Sequence, residues 1–160
     1  MIVAAGLGTR LKPLTDNIPK ALVPVGGRPL IEHVIRKLIA AGSEEIVINV
    51  HHFPEQIIRF VEDNNSFGVK IHFSDESDEL LETGGGIRKA GKWLEGNGEM
   101  QHSNLTTGSI PTASELLNDG KPFIVHNVDI LSNLDVNALY AQHLRTNPLA
   151  TLVVSERDTF

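Results

Sequence analysis

The chain has 160 residues, of which 41% are hydrophobic and 21% charged, enough for one domain with a hydrophobic core. Its 14 basic and 20 acidic residues give a net charge of −6, which argues against a general binder of nucleic acids or membrane surfaces. The absence of cysteine excludes disulfide scaffolds, thiolate zinc sites and cysteine nucleophiles. No apolar run approaches the roughly 20 residues that span a bilayer, and no signal-peptide pattern opens the chain. We therefore expect a globular cytoplasmic protein.

Short apolar runs alternate with helical patterns along the chain. Strands are predicted at residues 2–5, 46–50, 69–73, 122–125 and 150–154, and helices at 29–41, 54–63, 86–94 and 135–146. Pro29 suits a first helical position, Gly42 a helix stop, and Asp135 a helix N-cap. This alternation predicts parallel βαβ units in an α/β fold, Rossmann-like, with a mostly parallel sheet and helices on both faces.

Ligands of parallel α/β sheets bind beyond the carboxyl ends of the strands. Three segments are predicted to lie at that edge, namely residues 6–20, 82–86 and 127–129. Residues 95–112 are rich in Gly, Asn, Ser and Thr with little periodicity, so we expect a mobile insertion there. The acidic residues 75–79 are expected to form a solvated loop.

The first candidate site is a glycine-rich loop after the first strand. Gly6 and Gly8 would let backbone N–H groups approach phosphates closely. Leu11 stands where a Rossmann fingerprint needs its third glycine, and the lysine of a Walker loop is absent. Arg10 and Lys20 are expected at the same edge of the sheet. The Arg10 guanidinium can bind two phosphate oxygens at once, and the Lys20 ammonium is a mobile point charge that also suits phosphate oxygens.

Two further candidates follow later strands. The run 82–86, with three glycines, exposes backbone amides and suits a flat base edge or a sugar hydroxyl, although a flexible turn has the same composition. Asp129 at a strand exit could hold Mg²⁺, although aspartate is also common in turns. His51 and His52 are adjacent and would point to opposite faces, so a shared transition metal is not expected, although either could face a sugar.

Together these motifs resemble a known family. The string 6–15 (Gly-Leu-Gly-Thr-Arg-Leu-Lys-Pro-Leu-Thr), the pair Pro19-Lys20, and the segments 23–25, 29–32, 81–87 and 127–129 are similar to the signature of sugar-1-phosphate nucleotidylyltransferases. The Glu-Thr-Gly-Gly-Gly variant at 82–86 most resembles the branch with N-acetylmuramate-1-phosphate uridylyltransferases and mannose- or heptose-1-phosphate guanylyltransferases. Val128 stands where the family normally carries a glycine before the aspartate.

The resemblance implies a nucleotide-diphospho-sugar transferase fold and a reaction. A nucleoside triphosphate and a sugar 1-phosphate would give a nucleotide sugar and pyrophosphate with Mg²⁺, for cell-envelope polysaccharide. Arg10 and Lys20 are then catalytic residues and Asp129 is the metal ligand. The implied nucleotide-binding residues are Ala5, Gly6, Gly8, Thr9, Thr83 and Gly84, and the implied substrate-binding residues are Gly85 and Asn127.

Two other functions stay open at this point. The domain could bind nucleotide sugars without catalysis, as a sensor or regulatory subunit, or it could transfer a nucleotide to another phosphorylated alcohol such as phosphocholine. Because the family continues well past this sequence, we expect residues 1–160 to be a catalytic core cut short at its C-terminal end. The later part would supply a second metal-binding acid and much of the sugar pocket, so the chain alone is expected to be inactive or very weak. The nucleobase, the sugar and the oligomeric state stay open.

Overall fold

The computed structural model describes residues 1–94 and 122–155. Its strands, in chain order, are β1 (Ile2–Val3), β2 (Pro24–Val25), β3 (Arg28–Pro29), β4 (Glu45–Val50), β5 (Lys70–Asp75) and β6 (His126–Asn127). A parallel sheet has the order β5–β4–β1–β6, and β2 and β3 form a small antiparallel pair. The expected parallel sheet is therefore confirmed, with β1 as an inner strand.

The described residues contain four helices and three 3₁₀ turns. The helices are α1 (Leu30–Ala40), α2 (Pro54–Asp63), α3 (Glu82–Leu94) and α4 (Val136–Thr146), and the turns are Thr9–Leu11, Lys20–Leu22 and Asn65–Gly68. Among the helices of the described ranges, none combines the length and apolarity that crossing a bilayer would need.

Both faces of the sheet are covered by helices, as the alternation along β4 illustrates. Ile46, Ile48 and Val50 are buried in the main core, which also contains the apolar faces of α1 and α2. Val47 points to the other side and joins a second cluster with Ala90 of α3. Each fully buried Ile or Val contributes about 1.5–3 kcal/mol relative to exposure, so the two clusters hold the sheet between layers.

Local signals explain where most helices begin and end. Gly42 follows α1 with a φ of +90°, the left-handed conformation that ends helices, and its N–H donates to the Ile39 carbonyl at 2.8 Å. Asp135 caps α4, because its side chain accepts a hydrogen bond from the Ala138 N–H at 3.0 Å. Pro29 differs slightly from expectation, since it takes the N-cap position and α1 begins one residue later.

The helix predicted at 86–94 begins earlier, at Glu82, so the three glycines lie inside the first turns of α3. Glycine is a poor helix former, which is why the sequence pattern placed the start after this run. Limited space explains two of the three glycines. An added Cβ would lie 2.8 Å from the Leu81 side chain at Gly85 and 2.7 Å from Glu76 Oε1 at Gly86.

Two predicted strands differ from the structure. Residues 122–125 form no strand, and the pairing is displaced to β6, where Ile2 lies opposite His126. The strand predicted at 150–154 is absent, and Leu152 and Val154 are 82% and 83% exposed. A strand needs a hydrogen-bonded neighbour, and the described residues provide none for this segment. The insertion predicted at 95–112 lies outside the described residues.

We predict that Ile48→Val lowers the free energy of unfolding by about 0.5–1.5 kcal/mol, because one methylene group leaves a fully packed core. Ile48 is 0% exposed. Ile130→Val is the matched control, since it removes the same group from a side chain that is 50% exposed. Its expected loss is within about 0.5 kcal/mol. Urea denaturation measures both variants, and equal losses would contradict the central packing of β4.

Candidate functional site

The glycine loop, defined here as residues 4–15, leaves the sheet at the carboxyl end of β1. Gly8 has a φ of +67°, and an added Cβ would lie only 2.9 Å from Thr15 Cγ2 and 3.0 Å from Lys20 Cβ. Thr15 is 1% exposed, and its hydroxyl donates to the Gly8 carbonyl at 2.9 Å. Glycine at position 8 is therefore required by both backbone conformation and space.

Lys20 connects this loop to the end of β6. Its Nζ lies 3.4 Å from the position that a Cβ of Gly6 would take. The same ammonium donates to Asp129 Oδ2 at 3.0 Å, with side-chain exposures of 18% for Lys20 and 39% for Asp129. The structure thus brings three residues together at the carboxyl edge of the sheet, where the sequence placed them.

The other predicted residues of the site differ in their exposure. Arg10 is exposed in the first 3₁₀ turn, and its guanidinium has no hydrogen-bond or ion-pair partner among the described residues. Thr9 is also exposed, whereas Ala5 is buried at 3% exposure, so its main chain is the part that could meet a ligand. Asn127 is exposed and pairs with Val3, which places it at the same edge.

The start of α3 shows that its three glycines are not equivalent. Gly84 faces open space, because an added Cβ would meet no atom within 4 Å. The Leu81 side chain takes that space at Gly85, and the Glu76 carboxylate takes it at Gly86. Gly84 and its exposed neighbour Thr83 are therefore the positions from which this helix start can approach a ligand. The predicted substrate contact of Gly85 would depend on its main chain.

Glu76 corrects the expectation of a solvated acidic loop at 75–79. It is 0% exposed, and its Oε1 accepts a hydrogen bond from Asn49 Nδ2 at 2.9 Å. Its Oε2 accepts from the Leu81 N–H at 3.3 Å. The Asn49 Oδ1 in turn accepts from the Ala4 N–H at 2.7 Å. We call this chain of hydrogen bonds the Asn49–Glu76 bridge, and it joins the glycine loop to the start of α3.

Electrostatics near the site have identifiable causes. Burial lowers the pKa of His126, although a hydrogen bond to the Asn127 carbonyl partly opposes this shift. Hydrogen bonds from the Ser77 hydroxyl and N–H lower the pKa of Asp75, which keeps this carboxylate ionised next to the bridge. His51 Nδ1 is hydrogen-bonded to the Glu76 carbonyl at 2.6 Å, so this ring braces the loop.

A divalent metal at this edge would rest on Asp129. Within residues 1–94 and 122–155, no group of three or more His, Asp or Glu side chains is placed to hold a metal ion. Mg²⁺ does not need such a cage, because it commonly keeps several waters and binds through one or two carboxylates plus substrate phosphates. Asp129, partly exposed and beside the glycine loop, fits that kind of shared site.

A parallel α/β sheet with a glycine loop at its carboxyl edge is a common nucleotide-binding arrangement. A family profile described as nucleotidyl transferase matches residues 1–159, and the chain therefore belongs to that family. The family resemblance noted from the motifs is confirmed.

Named relatives give this placement more detail. The chain is 38% identical over 140 residues to the N-acetylmuramate alpha-1-phosphate uridylyltransferase of Neisseria meningitidis, covering 88% of this chain and 50% of that protein. It is 33% identical over 157 residues to the mannose-1-phosphate guanyltransferase of Gibberella zeae, covering 98% and 37%. HddC from Yersinia pseudotuberculosis, solved with GMP-PN, has a TM-score of 0.66 and 29% identity, covering 89% and 52%. The chain thus spans about half or less of these relatives.

Three structurally important residues were missed by sequence reasoning. Asn49 had a weak signal, because it interrupts the β-branched run of β4 at the strand end. Thr15 belongs to the quoted motif, yet nothing in its type indicates that it closes the loop through the Gly8 carbonyl. Glu76 had no signal, because its acidic neighbours indicate solvent exposure.

We predict opposite effects of alanine at two glycines of α3. Gly86→Ala should destabilise the fold by about 1–3 kcal/mol, because the new methyl group overlaps the buried Glu76 and Asn49 side chains. Gly84→Ala should be neutral or stabilise by up to about 1 kcal/mol, since alanine favours helix and the site is open. Chemical denaturation compares them, and equal effects would contradict the tight contact at Gly86.

Proposed function

We propose that this chain is the nucleotide-binding half of a sugar-1-phosphate nucleotidylyltransferase. The complete protein would transfer a nucleoside monophosphate from a nucleoside triphosphate to a sugar 1-phosphate and release pyrophosphate. The Lys20–Asp129 pair beside the glycine loop carries this proposal, because it sets a cation and a candidate metal ligand side by side at the carboxyl edge of the sheet. The names of the relatives, a uridylyltransferase and a guanyltransferase acting on sugar 1-phosphates, support the same class.

The chemistry needs positioning and charge stabilisation more than a strong base. An oxygen of the sugar 1-phosphate, already ionised near neutral pH, attacks the α-phosphorus of the triphosphate. The bond from the α-phosphorus to the oxygen bridging to the β-phosphate breaks, and that oxygen leaves with pyrophosphate. One phosphoanhydride replaces another, so the reaction is reversible. Catalysis of this kind rests on oriented reactants and on fixed charges around the reacting phosphate.

The residues of the site divide this work. Backbone N–H groups at Gly6 and Gly8 would bind the triphosphate. Arg10, exposed and unpaired among the described residues, would stabilise the α-phosphate and the leaving pyrophosphate. Lys20 would bind phosphate oxygens at the other side of the loop. Asp129 would hold Mg²⁺, and a bound Mg²⁺ would neutralise charge on the phosphates.

Base and sugar contacts belong to the other two segments. Thr83 and the open Gly84 would approach the base, while Gly85, through its main chain, and Asn127 would contact the substrate. We propose the cytoplasm as the location, since nucleoside triphosphates are made there, and a role in nucleotide-sugar synthesis for the cell envelope.

A nucleotide panel tests the proposed function on the chain itself. Thermal shifts with UTP, GTP, CTP, dTTP and ATP, each with Mg²⁺, should reveal stabilisation by one or two nucleotides. Addition of sugar 1-phosphates and phosphocholine then separates sugar from phosphocholine transfer. No shift with any triphosphate would contradict the proposal, whereas binding by a completed protein without turnover on any phosphate would favour a nucleotide-sugar sensor.

We predict that Lys20→Ala or Arg10→Ala raises the dissociation constant for the Mg²⁺-bound triphosphate about tenfold or more. Hydrogen bonds to charged groups contribute about 1.5–3 kcal/mol each. Lys12→Ala is the matched control, because Lys12 lies in the same loop but is 62% exposed and pairs with Asp16 at 3.6 Å. Isothermal titration calorimetry measures all three, and a Lys20 variant that binds like the Lys12 variant would refute the assigned role.

A further inference from the structure

We propose that Glu76 is a positioning residue that sets the distance between the two ends of the nucleotide site. This inference rests on the proposed function, in which the glycine loop holds the triphosphate and the start of α3 approaches the base. Glu76 acts through Asn49 on the loop and through its own carboxylate on the helix. It makes no contact with the nucleotide in this proposal.

Among the described residues, the side chains of Asn49 and Glu76 form no hydrogen bonds other than those of the bridge. Asn49 and Glu76 are 1% and 0% exposed, so water does not replace a lost hydrogen bond cheaply. The Ala4 N–H lies one residue beyond β1, where the sheet ladder has ended, and the Asn49 amide takes the place of a strand partner. The loop therefore leaves the sheet in a direction that a side chain determines.

The other end of the bridge fixes the helix. Glu76 Oε2 accepts from the Leu81 N–H, just before α3, and Oε1 lies 2.7 Å from the Cβ position of Gly86. Asn49 Nδ2 lies 2.9 Å from that same position. A glycine at 86 thus lets the helix rest directly on the carboxylate–amide pair. Any shift of Glu76 moves Gly84 relative to the glycine loop.

The hydrogen-bond directions in the bridge allow the amide of residue 49 and the carboxylate of residue 76 to be exchanged between the two positions. In Glu76→Gln, the oxygen still accepts from Asn49, but the amide nitrogen faces the Leu81 N–H, and one hydrogen bond is lost. In Asn49→Asp, two carboxylates face each other across the bridge. The double variant exchanges the two groups and restores every bond. The introduced aspartate accepts from the Ala4 N–H and from the introduced glutamine amide, and the glutamine oxygen accepts from the Leu81 N–H.

The test uses the full chain, the two single variants and the double variant, with Glu79→Gln as control. Glu79 is exposed in the same acidic segment, so its variant removes an equal charge outside the bridge. Isothermal titration calorimetry with Mg²⁺-bound UTP and GTP probes both ends of the site. Inorganic tripolyphosphate probes the glycine loop alone. Hydrogen-exchange rates of the Ala4 and Leu81 amides report whether the two hydrogen bonds at the ends of the bridge are formed, and they need no ligand.

Each single variant should weaken nucleotide binding about tenfold or more but tripolyphosphate binding less than about threefold. The double variant and the control should bind nucleotide within about threefold of the original chain. Exchange at Ala4 and Leu81 should rise in the single variants and return to the original rates in the double variant.

Three results would overturn the proposal while leaving the proposed function intact. Equal losses for nucleotide and tripolyphosphate would mean a general structural role. A double variant as weak as the singles would mean that the hydrogen bonds of the bridge do not set the nucleotide affinity. Unchanged nucleotide affinity in the singles would mean no coupling. If the original chain binds neither nucleotide nor tripolyphosphate, the proposed function fails, and unchanged exchange at Ala4 and Leu81 would then reject the bridge separately.

Discussion

The hydrogen bond from the Ala4 N–H to the Asn49 side chain is the contact on which the site depends most. Strand β1 contributes only Ile2 and Val3 to the sheet, and the chain then continues into the glycine loop. The Ala4 N–H at this point is buried and no longer part of the sheet, so it needs another partner, since burying it unpaired costs several kcal/mol. The Asn49 amide supplies that partner at 2.7 Å, so the strand ends and the loop begins without an orphaned donor.

Two kinds of polar contact organise the edge of the sheet. The Asn49 and Glu76 side chains of the bridge are buried, so they hold a defined geometry and are costly to leave unpaired. The Lys20–Asp129 pair is partly exposed, so solvent screens it and its members are free to exchange partners. A phosphate could bind Lys20 and a metal ion could bind Asp129, whereas Asn49 and Glu76 would stay paired with each other. The site therefore combines a fixed frame with adjustable charges.

Sequence patterns predicted much of this fold because local rules govern it. The helix α2 has the bounds that its apolar spacing and Pro54 indicate, and Asp135 caps α4 as its residue type suggests. The start of α3 was predicted too late in the chain, since helix propensity disfavours three glycines and only contacts in the fold show that a side chain has no room at Gly85 and Gly86. The strand expected at 150–154 failed for a related reason, because pairing depends on a neighbour that residue types do not reveal.

The pairing of distant segments has a consequence for protein synthesis. Lys20 and Asp129 are 109 residues apart, and β6 pairs with β1 across a similar separation. At about 5–20 residues per second, a ribosome needs about 5–20 seconds to add the intervening chain. Once β4 is made and until β6 follows, β1 has one hydrogen-bonded neighbour instead of two, and the lysine ammonium lacks its carboxylate. The charge pair at the carboxyl edge is thus completed only when Asp129 has been made, so a ribosome that stalls before that residue leaves β1 as an edge strand of the sheet.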